Sequence, residues 1–271
     1  MNRRRIFCTA GLLIPAIVQV FPIFYLLCVA FKPASEVIQY PPVLFPKGLP
    51  LENFKEAIHT APLGRFLWNS ILVASLVTLF QCFTSVLAAF ALSRIDFRGS
   101  RWLLSLFVIT MMIPLEVTIL PNYFLLARWN WLNSYQAMIV PFAASGFGIF
   151  LLYQFFKTIP KELEEAVYLD GASRIRFLFQ FLVPLSWPAI LAFAIYAFVN
   201  TWNQYLWPLI VTQSTEMQTA QIGIGVFRAQ NESLSWGVIM AATAILIFPN
   251  ILVFILTQKQ FVRGMTMSGM K

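Results

Sequence analysis

Eight charged side chains fall between Lys157 and Arg176 in a chain of 271 residues that is only 11% charged: Lys157, Lys161, Glu162, Glu164, Glu165, Asp170, Arg174 and Arg176. Four are acids and four are bases. The spacing is that of a surface. Pro160 suits the first turn of a helix, and Glu162, Glu164 and Glu165 follow where the helix dipole favours acids. Leu163, Ala166 and Val167 lie at i, i+3 and i+4 and form a small apolar stripe. Asp170-Gly171 then interrupts the helix, since glycine readily takes the backbone angles of a cap. Ser173 can cap a second helix. Ile175, Leu178, Phe179 and Leu182 give it an apolar face at i, i+3, i+4 and i+7. Pro184 and Pro188 kink or restart the chain beyond it. The expectation for about 160–183 is helix, tight turn, helix along a membrane surface. Two readings fit: an element offered to a soluble partner, or an amphipathic interfacial helix packed on the protein's own spans.

A second constellation lies further on. Asn200, Thr201, Asn203 and Gln204 are interleaved with Trp202, Tyr205 and Trp207. Amides bond hydroxyl groups and aromatic rings cover C–H faces, which is the chemistry of sugar binding. Polar groups inside membrane spans are costly and mark functional sites by default. The expected role is solute path or gate in the outer half of a span; inter-helix hydrogen bonding beneath an aromatic belt is the competing reading. Glu116, two residues after Pro114, is the one acid inside a span window. It points into a water-filled vestibule or pairs with a base of a neighbouring span if the helix continues, and sits at the outer surface if the span ends near Pro114.

Catalytic patterns are missing. The nearest approach to a Walker A sequence is Gly264 and Gly269 before Met270-Lys271, with no Ser or Thr and no strand before it. HExxH and GxSxG are absent. The single histidine, His59, cannot form a histidine-based metal site alone, and Cys8, Cys28 and Cys82 sit in apolar runs without metal-ligand spacing. No metal or cofactor is expected in the chain itself, and energy for any active transport would enter through a partner.

The elements that must position these residues are membrane spans. The chain is 59% hydrophobic, with a mean hydropathy of +0.74, whereas a soluble domain carries about 25% charged residues. Its apolar windows place spans at about 6–31, 66–93, 102–127, 134–156, 186–212 and 235–258, within a single membrane domain covering 1–271. A hydrocarbon core of about 30 Å needs about 20 helical residues, which each window supplies. The first window stays apolar too long for a signal peptide and reads as an uncleaved span. Six spans put both termini on one side. Of the 19 Lys and Arg residues, 13 fall on that side, so the positive-inside rule puts both termini and the 157–183 segment in the cytoplasm. The net charge of +8 then reflects cytoplasmic loops and not nucleic-acid binding. On the outer side, the proline-rich loop 32–65 carries one short amphipathic stretch, LENFKEAIH, and residues 213–232 form a second loop.

Glu165-Ala166-Val167 and Asp170-Gly171-Ala172, with Pro184 thirteen residues after Gly171, resemble the EAA signature of ABC-importer permeases. Val167 stands where the third residue is usually Ala, and Val183 where Leu usually precedes the proline. IPLEVTILP (113–121), NTWNQYLWPLIV (200–211) and the tail 260–271 extend the resemblance over nearly the whole chain, toward the carbohydrate-uptake branch and its maltose and glycerol-3-phosphate type permeases. The resemblance implies an all-α, six-span type I importer fold in a bacterial inner membrane. It implies coupling through Glu165, Ala166, Val167, Asp170, Gly171, Ala172 and Arg174. It further implies a homologous second permease, two ATPase subunits that bind ATP and Mg, and an extracytoplasmic solute-binding protein. Maltose-like sugars, glycerol phosphate and glycerol glycosides all fit; the lack of a mid-span Lys or Arg leans toward a neutral solute. A stand-alone secondary transporter is the alternative, against which stand the single intramembrane acid and no evident inverted repeat. A membrane enzyme lacks a catalytic cluster.

Overall fold

The computed structural model describes residues 3–230 and 236–267. Of the expected tail signature, residues 268–271 lie outside them, and side chains from 257 onward are not described. The described chain is helical. Three helices are long and apolar enough to cross a membrane by themselves: Leu13–Ala30, Leu63–Arg94 and Trp236–Leu256. Three bent helix pairs bring the total to as many as six spans.

Two compact units are resolved, Met1–Leu67 with Ala220–Phe248, and Trp68–Thr219 with Pro249–Lys271. In the first, Asn53 of the helix Glu52–Thr60 donates to the carbonyls of Ala30 and Lys32, each at 2.8 Å. It thereby satisfies orphan acceptors at the end of the first long helix. Lys32 is buried; its ammonium donates to the Val43 carbonyl and lies 5.6 Å from the Tyr25 ring. The expected second outer loop differs: Ala220–Gln230 is a helix. Gly223 is there for contact, since a Cβ would sit 2.3 Å from the Phe66 ring.

In the second unit the spans are more broken than the apolar windows imply. The expected continuous third span, 102–127, is two helices, Ser100–Thr110 and Leu115–Arg128, bent by 98°. Pro114 causes the break: it is extended at φ −60°, ψ 141° and caps the second helix. At about 1.5 Å per residue, neither piece alone reaches the roughly 30 Å of a hydrocarbon core. The fourth span joins Tyr135–Phe142 to Gly146–Thr158 at 41°, each helix capped by a serine, Ser134 or Ser145. In the fifth, Arg174–Leu185 meets Trp187–Trp202 at 77°. The span expected at 186–212 stops at Trp202 and resumes only over Leu206–Val211.

The long helix Leu63–Arg94 anchors two cores in this unit. Near its end, Val86, Ala89 and Phe90 pack with Leu152, Phe156, Val167 and Phe177. Nearer its start, Val73 and Val77 pack with Leu126, Met138, Trp207 and Val211.

Candidate functional site

The segment rich in charge folds as helix, turn, helix. Lys161–Leu169 follows an extended Pro160. Gly171 stands at φ +81°, the left-handed geometry that favours glycine. Its N–H bonds the Tyr168 carbonyl at 3.0 Å, and the Ala172 N–H bonds the Val167 carbonyl at 3.2 Å. This pair of bonds is a Schellman closure, which consumes carbonyls a helix end otherwise leaves unpaired. The Ser173 hydroxyl accepts from the Arg176 N–H at 3.3 Å and starts the next helix, Arg174–Phe177.

The two apolar stripes read from spacing sit differently in the structure. Val167 is buried but Ala166 is exposed; the inward face is Glu164, Val167 and part of Tyr168. On the second helix, Ile175 is 70% exposed and Phe179 is 49% exposed, while Phe177, Leu178 and Leu182 are buried. A π-helical stretch at Leu178–Leu182 contains Phe179, and its wider turn departs from the 3.6-residue register on which the stripe was read; Ile175 lies before it, on the outward side of Arg174–Phe177. The outward surface therefore comprises Glu165, Ala166, Asp170, Gly171 and Arg174, flanked by Leu169 at 89% exposure and Ile175.

Beneath that surface lies a buried ion pair. Arg94, the last residue of Leu63–Arg94, reaches Glu164 Oε2 with Nη1 at 3.2 Å. Its Nη2 donates to the carbonyls of Phe156 at 2.6 Å and Ile159 at 2.8 Å, at the C-terminal end of the helix Gly146–Thr158. A cation there also meets the negative end of the helix dipole. Glu164 Oε1 accepts from the Tyr168 hydroxyl at 2.8 Å. Burial, and next the bond to Glu164, push the Tyr168 phenol up to about 12.

The amide-and-ring stretch divides by exposure. Asn200, Asn203 and Tyr205 are exposed and Gln204 is half-buried. Asn200 Nδ2 donates to the Tyr196 carbonyl one turn back at 3.1 Å. Trp202 and Trp207 are buried, at 2% and 1% exposure. Trp202 stacks on Phe198 at 5.8 Å. The Trp207 indole N–H donates to the Ala137 carbonyl at 3.0 Å, and its ring meets the Phe142 ring edge-on at 5.7 Å. A buried indole needs such a partner, and having found one it is a packing residue. Glu116 is exposed in the first turn of Leu115–Arg128, directly after the break at Pro114.

Residues 82–267 match the family model described as binding-protein-dependent transport system inner membrane component. The chain belongs to this family of ABC-importer permeases. The permease is 34% identical over 273 residues to the sn-glycerol-3-phosphate transport system permease protein UgpE of Yersinia enterocolitica, covering 97% of each chain. It is 35% identical over 262 residues to the UgpE protein of Brucella melitensis, covering 94% of this chain and 93% of that one. Its fold is similar to a chain from a bacterial ABC transporter that imports the polysaccharide alginate, with a TM-score of 0.83, 24% identity, and 96% and 99% of the two chains covered. A second alginate transporter chain, solved with its pentasaccharide-bound periplasmic protein, aligns with a TM-score of 0.66 at 14% identity, over 95% and 93% of the chains. The permease is an inner-membrane protein of all-helical ABC-importer fold.

Sequence reasoning on the permease overlooked Arg94, Glu164 and Tyr168 as a group. The signal was present in part: Arg94 is the first charge after a long apolar run. Nothing in the spacing, however, says which of two adjacent acids turns inward to meet it. Among the described residues no cluster of His, Cys, Asp and Glu gathers as a metal site.

Proposed function

We propose that this permease forms, with a homologous partner permease, the alternating-access path for uptake of a sugar or glycerol-derived solute. Separate ATPase subunits, which bind ATP and Mg, drive it, and an extracytoplasmic binding protein delivers the solute. The chain itself hydrolyses nothing. Both termini and the 160–183 segment face the cytoplasm, as the distribution of Lys and Arg argues.

The observation that carries the reading is the two-faced helix Lys161–Leu169. Its inner face is fastened to the ends of the second and fourth spans, while Glu165, Ala166, Asp170 and Gly171 remain exposed beside Leu169 and Ile175. A surface of mixed charge and exposed apolar side chains on a rigid mount suits a groove on a soluble ATPase. Val167 supports this surface from beneath, and Ala172 and Arg174 continue it past the turn. When the ATPases close on ATP, the mounted helix moves with them and the spans rock between inward-open and outward-open states. Asn200, Asn203, Gln204 and Tyr205 line the path or its gate, and Glu116 lies at the break of the third span. Backbone broken at membrane depth is tolerated where it borders protein or a water-filled cavity, and both breaks fit that role. The relatives named for sn-glycerol-3-phosphate support the solute class.

Reconstitution tests this. Proteoliposomes holding both permeases, the ATPases and the binding protein should accumulate solute only with ATP inside. Uptake that persists after the ATPase subunits are omitted would overturn the reading.

A further inference from the structure

Arg94 fastens three elements with one planar group. It ends Leu63–Arg94, holds the Phe156 and Ile159 carbonyls at the end of Gly146–Thr158, and pairs with Glu164 of Lys161–Leu169. The side chains of Arg94 and Glu164 are 2% and 12% exposed. Such a pair is a poor source of stability, because desolvation offsets most of its attraction, and a hydrophobic replacement often does as well. What a guanidinium fork adds is direction: it fixes its partners at set angles, which a flexible Lys ammonium does not. Glu164 is itself held from the other side by the Tyr168 hydroxyl, so neither end of the pair is loose. Around it the contacts are apolar and close: Phe90, Phe156, Val167 and Phe177 share one core, and the Tyr168 and Phe177 rings meet edge-on at 5.8 Å.

We propose that Arg94 is a positioning residue, the joint through which displacement of the outward helix Lys161–Leu169 is passed to the second and fourth spans together. The proposal rests on the ATPase-docking reading above. Apolar packing alone would hold the helix in place yet let it slide; the fork makes it turn with the spans. Weakening the joint should therefore leave docking and hydrolysis intact and waste them.

The test uses the complete importer in proteoliposomes, with solute uptake and ATP hydrolysis measured side by side. The variants are Glu164→Gln, which keeps the volume and the acceptor for Tyr168, and Arg94→Lys, which keeps the charge but loses the fork. Both should retain the ATPase subunits on co-purification and hydrolyse ATP near the wild-type rate. Solute moved per ATP should fall by about 10-fold in Arg94→Lys and less in Glu164→Gln, within the usual range of coupling between linked sites. An unchanged ratio, whether both rates stay high or fall in proportion, would overturn the proposal and leave Arg94 a packing residue. So would failure of Glu164→Gln to accumulate in the membrane, since the pair would then hold the fold and not the coupling. A wild-type importer whose uptake ignores ATP would instead fail the docking reading itself.

Discussion

The two cores along Leu63–Arg94 use opposite means. At the Val86–Phe90 end, charge is buried as Arg94–Glu164 while the large apolar side chains Leu169 and Ile175 stand exposed. At the Val73–Val77 end, about 20 Å away at 1.5 Å per residue, the rings of Trp207 and Phe142 pack inward while Asn200 and Asn203 face outward from the broken fifth span. Residue type therefore does not report role; the face does. Of two adjacent glutamates one is mount and the other surface. Of seven residues in the amide-and-ring stretch, the two indoles are buried, while Asn200, Asn203 and Tyr205 are exposed.

The contrast is easiest to break at the mount. Glu164→Lys sets a second cation against Arg94 in a buried site and should cost about 3–5 kcal/mol, read as loss of folded permease from the membrane fraction. At the other core, Trp207→Ala should cost about 3–5 kcal/mol through lost packing and lower the thermal midpoint in detergent. If the midpoint is unchanged and only transport suffers, the ring lines the path after all. Asn200→Ala should do the reverse. It should keep stability within about 0.5 kcal/mol, as exposed substitutions usually do, while changing the uptake rate in proteoliposomes. Wild-type uptake there would remove Asn200 from the path. The smallest effect concerns Tyr168. Its raised value means that folding favours the protonated phenol, so this contribution is complete below pH 10 and fades only as pH climbs through about 12. Absorbance titration of wild type against Tyr168→Phe should show one tyrosine ionising late; ionisation near 10 would mean that the phenol is neither buried nor bonded to Glu164.

Much of this was legible beforehand because it depends on local chemistry. The helices and bent helix pairs apolar enough to cross a membrane fall in the apolar windows, Gly171 and Ser173 mark the turn and cap, and Pro184 with Pro188 marks the bend where Trp187–Trp202 begins. What escaped depends on tertiary register. The π-helical stretch at Leu178–Leu182 re-aims Phe179, and the expected loop holds the helix Ala220–Gln230, whose Gly223 lies against Phe66. Pro114 breaks the third span, although Pro121, about two turns later, is accommodated inside its helix. Composition does not distinguish those two prolines. Nor does it distinguish Glu164 from Glu165, or an indole that reaches a backbone carbonyl from one that faces a path.

The central claim is that the outward face of Lys161–Leu169 receives a soluble ATPase. It is tested most directly by co-purification of the ATPase subunits with the tagged permease carrying Glu165→Lys. This substitution changes an exposed side chain and leaves the Arg94–Glu164 pair in place. The account predicts normal amounts of membrane-inserted permease with the ATPase largely lost. Wild-type ATPase recovery together with wild-type uptake would contradict it.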